Sequence, residues 1–176
     1  MKLWAWGANS HGQLGLELSE QVETPTEVPL PQFCHTIKQI SCGGGHSLLL
    51  DDEGNGKHGQ LGLGKEILFL DRFQKVQNID EPFLGKIIQI KLPGGIKIKD
   101  ITLGSEHTIC LAEDNTLWAW GWNEHANTGI SMEPVISTPT MIPFDYHPDN
   151  IINQIYSGGA HNFIVTKNCK DSNDNQ

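Results

Sequence analysis

The sequence predicts an all-β protein assembled from copies of one module, and three observations predict it. Trp4-Ala5-Trp6-Gly7-Ala8-Asn9-Ser10-His11-Gly12-Gln13-Leu14-Gly15 returns as Trp118-Ala119-Trp120-Gly121-Trp122-Asn123-Glu124-His125-Ala126-Asn127-Thr128-Gly129. A partial copy, Gly56-Lys57-His58-Gly59-Gln60-Leu61-Gly62-Leu63, lies between them. The spacing within a copy is kept, since Gly7 to His46 is 39 positions and Gly121 to His161 is 40. Recurrence of this kind marks stacked supersecondary units. The composition agrees: 19 glycines and 9 prolines with 38% apolar residues suit many short strands joined by turns.

The first copy is read in order. Leu3-Trp4-Ala5-Trp6 is a strand; Gly7 and Asn9 break it, and Gly12 and Gly15 frame a tight turn. Each tryptophan pair, Trp4 with Trp6 and Trp118 with Trp120, is expected to turn one ring inward. Thr24-Pro25-Thr26-Glu27-Val28 is extended, because the residue before a proline avoids helix. Ile37 to Cys42 alternates apolar and polar, Gly43-Gly44-Gly45-His46 turns the chain, and Ser47 to Leu50 is a buried strand. The four strands suggest one propeller blade per copy. The last copy repeats this order: Trp118 to Gly121, Ser137 to Ile142, Ile151 to Tyr156, the turn Ser157 to His161, and a closing buried strand Asn162 to Val165.

The middle copy departs from the pattern. After Gly54-Asn55 the Trp-x-Trp-Gly strand is missing, and the junction at Asn55-Gly56 reads as an internal deletion. Between Gln77 and Lys99 about 14 residues are inserted relative to the first copy. Ile98 to Leu111 then returns to the pattern. The chain therefore divides into a repeat at 1–55, a partial repeat with an insertion at 56–116, a repeat at 117–167 and a polar tail at 168–176.

Net charge is −9, from 12 basic and 21 acidic residues, which argues against direct binding to a nucleic-acid backbone. Lys86, Lys91, Lys97 and Lys99 read as a solvated edge. No apolar run reaches membrane-spanning length. Cys34, Cys42, Cys110 and Cys169 show no paired spacing, and Cys42 and Cys110 are expected in the core. A reducing cytoplasmic location is expected, with the nucleus as an additional one.

The ordered segments W-x-W-G-x-N-x-x-G-Q-L-G, x-x-P-x-x-V and I-x-x-I-x-C-G-x-x-H-S-L-x-L closely resemble repeats of the regulator of chromosome condensation (RCC1) family. The resemblance covers about 3–54, 56–113 and 117–166. It implies an RCC1-like β-propeller, incomplete here at two full repeats plus one damaged repeat, where closure takes about seven. Trp4 to Gly15 and Trp120 to His125 bring it nearest to guanine nucleotide exchange factors in the family. The resemblance thus implies a regulatory protein whose partner is a small GTPase or another protein, without a cofactor. The alternative is an interaction scaffold without exchange activity. Too few modules also leave strand edges open, which suggests self-association or marginal stability.

Sharper motifs yield to simpler readings. Gly59 to Lys65 spells G-x-x-x-x-G-K, yet Glu66 stands where a magnesium-binding hydroxyl belongs, and Gly12 to Glu17 repeats the same turn without the lysine. His46, His107 and His161 follow glycine turns in separate modules, so a structural role that locks the turn is preferred to a metal site. No nucleophile, base or acid arrangement supports catalysis. Residues in the turns after the first strand are the candidate partner contacts: Ser10 and His11, Lys57 and His58, and Trp122, Glu124 and His125. Trp122 replaces Ala8 of the first copy and is either a packing wedge or a binding anchor.

Overall fold

The computed structural model describes residues 1–30, 32, 36–51, 60–64 and 88–168. Among these it holds twelve strands in four antiparallel sheets. β1 (Leu3–Ala8) pairs with β2 (Gln21–Val28). β3 (Gln39–Cys42), β4 (His46–Leu50), β5 (Gln60–Gly64) and β6 (Ile88–Ile90) form a four-stranded meander. β7 (Ile98–Leu103), β8 (His107–Ala112), β9 (Leu117–Trp122) and β10 (Val135–Met141) form a second. β11 (Asn150–Ser157) pairs with β12 (Asn162–Asn168). The all-β, incomplete propeller is therefore present.

The sheets do not coincide with the sequence copies. β7 and β8 close the middle copy and β9 and β10 open the last, yet the four make one sheet. The short turn at Asp114-Asn115-Thr116 decides this. Asn115 takes the left-handed conformation (φ 69°) and Ala112 N–H donates to Thr116 O at 2.8 Å, so β8 and β9 are forced side by side. Asp114 Oδ1 braces the turn by accepting from Thr116 N and Oγ1. The longer connections from β2 to β3 and from β10 to β11 pass to the next sheet. A single copy is thus half of one sheet and half of the next, and the expectation of one blade per copy is corrected.

Two apolar layers join the sheets. Leu48 and Leu50 of β4, with Leu92, pack against Ile98, Ile101, Leu103, Cys110, Trp118 and Trp120 of the next sheet. On the other side of that sheet, Ile109, Leu111, Leu117 and Ala119 pack against Ile152, Ile155 and Ile164. Alternate residues of β8 and β9 therefore serve opposite layers, as a pleated strand requires. Each buried large side chain contributes roughly 1.5–3 kcal/mol.

Several expectations are corrected by this packing. Trp118 and Trp120 are two residues apart, so they share one face and both are buried, at 8% and 2% exposure. Trp4 and Trp6 also share a face, but both are exposed, at 49% and 60%. β12 is not a buried strand, since Phe163 is 66% and Val165 40% exposed; no sheet lies beyond it among the described residues. Cys42 is exposed while Cys110 is buried. Gln60–Gly64, expected as a turn, is strand β5, with Gly62 opposite Leu48 and Ile88. It fills the place of the missing Trp-x-Trp-Gly strand. Lys57, His58, Gly59, Lys65, Glu66, Lys86, Cys34, Cys169 and the Asn55-Gly56 junction lie outside the described residues, as does the tail from residue 169.

Trp120→Ala should destabilise the protein by about 3–5 kcal/mol, because the cavity lies between two sheets. Urea unfolding of both proteins checks this, and a loss below about 1 kcal/mol would remove Trp120 from the core.

Candidate interaction surface

The two loops that follow β1 and β9 are the same object built twice. Gly7 (φ +107°) and Gly121 (φ +106°) end the Trp-x-Trp stretch in a conformation that side chains rarely adopt. Register shifts at Ala5/Gly7 and opposite β9 at Ile136/Thr140 mark the bulge. Buried Asn9 then organises the first loop. Its Nδ2 donates to Glu17 O at 2.8 Å, and its Oδ1 accepts from Leu14 N at 3.2 Å. Buried Asn123 does the same in the second loop. Its Nδ2 donates to Ser131 O and Glu133 O at 2.8 and 2.7 Å. Its Oδ1 accepts from Thr128 N and Oγ1 at 2.8 and 2.7 Å. One amide therefore satisfies several loop backbone groups that no strand pairing serves. Recurrence of Asn9 and Asn123 was visible in the sequence, but only as a strand break. That the asparagine is the hub of the loop needed the three-dimensional partners.

Each loop carries a turn of matching hydrogen bonds. Gly12 N donates to Asn9 O and Gly15 N to Gly12 O, both at 3.0 Å. Ala126 N donates to Asn123 O and Gly129 N to Ala126 O, at 2.9 and 3.0 Å. Gly12 and Gly15 have φ of +70°, Gly129 +68° and Ala126 +56°. Ala126 thus holds a left-handed conformation that its Cβ makes unfavourable by roughly 1–2 kcal/mol.

Displayed on these frames are the predicted contact residues. Ser10 is exposed and its Oγ lies 3.0 Å from His11 Nδ1. Glu124 and His125 are exposed, and the rings of Trp122 and His125 meet edge to face at 4.9 Å. Trp122 is half-buried, its backbone N donates to Glu106 O at 2.8 Å and its carbonyl accepts from Asn127 Nδ2. Its ring lies against that of His125. The Ser10-His11 pair and the Trp122-Glu124-His125 group belong to different sheets, so the structure presents two equivalent sites and does not merge them into one.

Two of the three recurrent histidines, His46 and His107, join sheets to each other. A Cβ on Gly43 would stand 2.6 Å from Gly104 O and 2.7 Å from His46 Cε1. On Gly104 it would stand 2.0 Å from His107 Cε1 and 2.8 Å from Gly158 O. On Gly158 it would stand 2.6 Å from His161 Nε2. The imidazole therefore lies on the glycine three residues earlier, and at Gly43 and Gly104, where a backbone carbonyl crowds the same place, no side chain fits. The turns dock in series: Gly44 N donates to Ser105 O and Ser105 N to Gly159 O, both at 2.9 Å. The His46 and His107 rings then reach the next sheet. His46 Nε2 is 3.5 Å from Thr108 Oγ1, and His107 Nε2 is 2.7 Å from Asn162 Oδ1. Asn162 Nδ2 donates to Asn127 O, so its Oδ1 is the acceptor and His107 carries its proton on Nε2. His107 Nδ1 is buried without a partner, consistent with an unprotonated nitrogen. The structural role predicted for His46 and His107 is thus tied to the neighbouring sheet as well as the local turn. His161 is exposed. Among the described residues no group of three or more histidine, cysteine, aspartate or glutamate side chains is placed to hold a metal ion.

Burial holds His46 well below the ordinary histidine range, to about 4, with the nearby His107 adding to the effect. Burial also lowers His107, against the Asn162 hydrogen bond that raises it, and His161 lowers it further. Between the β9–β10 loop and the start of β12 lies an open cleft of about 380 Å³, with Ile109, Leu117, Ile142, Phe144 and Ile164 on its apolar walls and His125 and His161 at its rim.

Antiparallel sheets docked through glycine turns, with one loop design repeated, define a propeller-type repeat protein. The chain belongs to the RCC1 family: the model described as "Regulator of chromosome condensation (RCC1) repeat" matches residues 2–50 and 54–111, and a second of the same description matches 98–126. The ultraviolet-B receptor UVR8 of Arabidopsis thaliana is 33% identical over 136 residues, 74% of this chain and 27% of the receptor. The secretion-regulating guanine nucleotide exchange factor of Bos taurus is 34% identical over 142 residues, 75% of this chain and 26% of that protein. The chain thus spans about a quarter of the length of these relatives. Among solved structures, Prp20p of Saccharomyces cerevisiae superposes with a TM-score of 0.73 at 24% identity, over 95% of this chain and 40% of that one.

Two outcomes test this architecture. Because His46 is neutral in the folded protein and protonates more readily unfolded, its contribution is complete above about pH 6.5 and is lost as pH falls toward 4. Urea midpoints should fall across that window, by an amount equivalent to about 3 kcal/mol at most, and His46→Gln should flatten the dependence. Separately, Ala126→Gly should raise stability by about 0.5–1 kcal/mol, whereas Asn123→Ala should lower it by about 2 kcal/mol or more, both read by thermal unfolding.

Proposed function

We propose that the chain is a regulatory protein that works through protein–protein contacts, and that its partner is a small GTPase. The observation that carries this is the twice-built asparagine-centred loop. It fixes the backbone with side-chain hydrogen bonds while leaving Ser10 exposed on the first loop and Glu124 and His125 exposed with Trp122 on the second. Rigid loops with exposed polar and aromatic tips suit macromolecular recognition at low ordering cost. The similarity to a relative named as a guanine nucleotide exchange factor supports the choice of partner.

An exchange factor needs no bond-breaking residues. It binds the GTPase more tightly without nucleotide than with it, and the difference in affinity drives release. In this reading Glu124 and His125 supply directed polar contacts and Trp122 holds them in place. A second reading is a scaffold that binds without accelerating release, which the same exposed loop residues would serve.

A fluorescent-nucleotide release assay against a panel of small GTPases, paired with direct binding, separates the two. Accelerated release that drops at least tenfold in Glu124→Arg supports exchange. Binding with unchanged release supports the scaffold, and absence of any binding sinks both.

A further inference from the structure

We propose that the chain associates head to tail, β12 of one copy pairing with β1 of a second copy. The β11–β12 pair of the first and the β1–β2 pair of the second then form one four-stranded sheet. The inference does not depend on the exchange-factor reading.

The two half-sheets are complementary halves of a sheet that the chain already contains. β11 and β12 are the counterparts of β7 and β8, and β1 and β2 are the counterparts of β9 and β10. In the complete sheet β8 pairs with β9, with Thr108 opposite Trp120, Ile109 opposite Ala119 and Cys110 opposite Trp118. Transferred by the repeat, this register sets Asn162 opposite Trp6, Phe163 opposite Ala5 and Ile164 opposite Trp4.

The edges themselves distinguish natural borders from open joints. β2 and β10, the outer strands, carry Pro25 and Pro139, which discourage further pairing. β1 has neither proline nor charge, and β12 has no proline and no charge before Lys167. Among the described residues each pairs on one side only. Unprotected edges of this kind are templates for another strand.

Side chains match as well as backbones. Trp118 and Trp120 are buried against Leu48 and Leu50 of the preceding sheet, while their counterparts Trp4 and Trp6 are exposed. The residues that correspond to Leu48 and Leu50 in the next sheet are Ile109 and Leu111, and the apolar cleft of about 380 Å³ opens beside Ile109. The cleft lies where a third strand added to β12 would direct its tryptophans. A second copy brings Trp4 and Trp6 to that place. Exposed Phe163 in turn meets the second copy's β3–β6 sheet, as its counterpart Ile109 meets Ile152 and Ile155. The contact is heterologous, so it closes into a ring or extends as a chain of copies according to the rotation per copy.

The test uses the 176-residue chain and two variants at exposed positions, Trp6→Glu at the β1 edge and Phe163→Glu at the β12 edge. Sedimentation and light scattering should show the unmodified chain as dimers or larger, with each variant alone weakening association at least 100-fold. Mixing the two variants should restore a one-to-one dimer, because Trp6→Glu keeps a working β12 and Phe163→Glu a working β1. That rescue also shows that both variants are folded. A monomeric unmodified chain at 100 μM overturns the proposal. So does either variant associating like the unmodified chain, or a mixture of variants with native near-ultraviolet circular dichroism that stays monomeric.

Discussion

The contact between a glycine turn and the imidazole three residues later is the constraint on which the rest of the molecule depends. Gly43 and Gly104 leave no room for a Cβ because His46 and His107 lie against them and the carbonyl of the next turn crowds the same place. That approach sets the distance between sheets. Once it is set, Leu48 and Leu50 meet Trp118 and Trp120, and Ile109 and Leu111 meet Ile152 and Ile155. Keeping His46 and His107 neutral follows from the same burial, so the stacking of sheets is linked to proton concentration.

Where the stacking is complete, side chains are buried; where the described residues supply no neighbouring half-sheet, the same side chains are exposed. The tryptophan pairs show this most directly. Their local sequence is identical, Trp-Ala-Trp-Gly, and their backbones share the same positive-φ glycine, yet one pair is in the core and the other faces solvent. Burial here is a property of position in the array, not of the strand. Repeat proteins behave in this way because each unit is stabilised by its neighbours.

The loops obey a different logic. Asn9 and Asn123 close their loops with their own amide hydrogen bonds, in an incomplete half-sheet and a complete sheet alike. The candidate contact residues are therefore held locally. A surface for partners can persist on a unit whose apolar faces are incompletely covered. This separation of recognition from stacking is compatible with a family whose members carry the same fold and different roles.

Strands and turns outside Gln60–Gly64, the repeat and the family were legible in the sequence, because alternating apolar residues, glycine turns and proline-set extended segments are local signals. The candidate loops were legible too, by recurrence, but the buried asparagine at their centre was not, since its partners lie 5 to 10 residues away in a fold the motif does not describe. Three matters were decided only by tertiary structure. Sheets cross repeat boundaries because a tight turn at Asn115 outcompetes the longer connections. Gln60–Gly64 becomes a strand where its counterpart Gln13 to Gly15 is a turn, because β4 offers an edge that lacks its usual partner. Trp4, Trp6 and Phe163 are exposed because burial requires a facing sheet and the described residues supply none there, which no sequence pattern states.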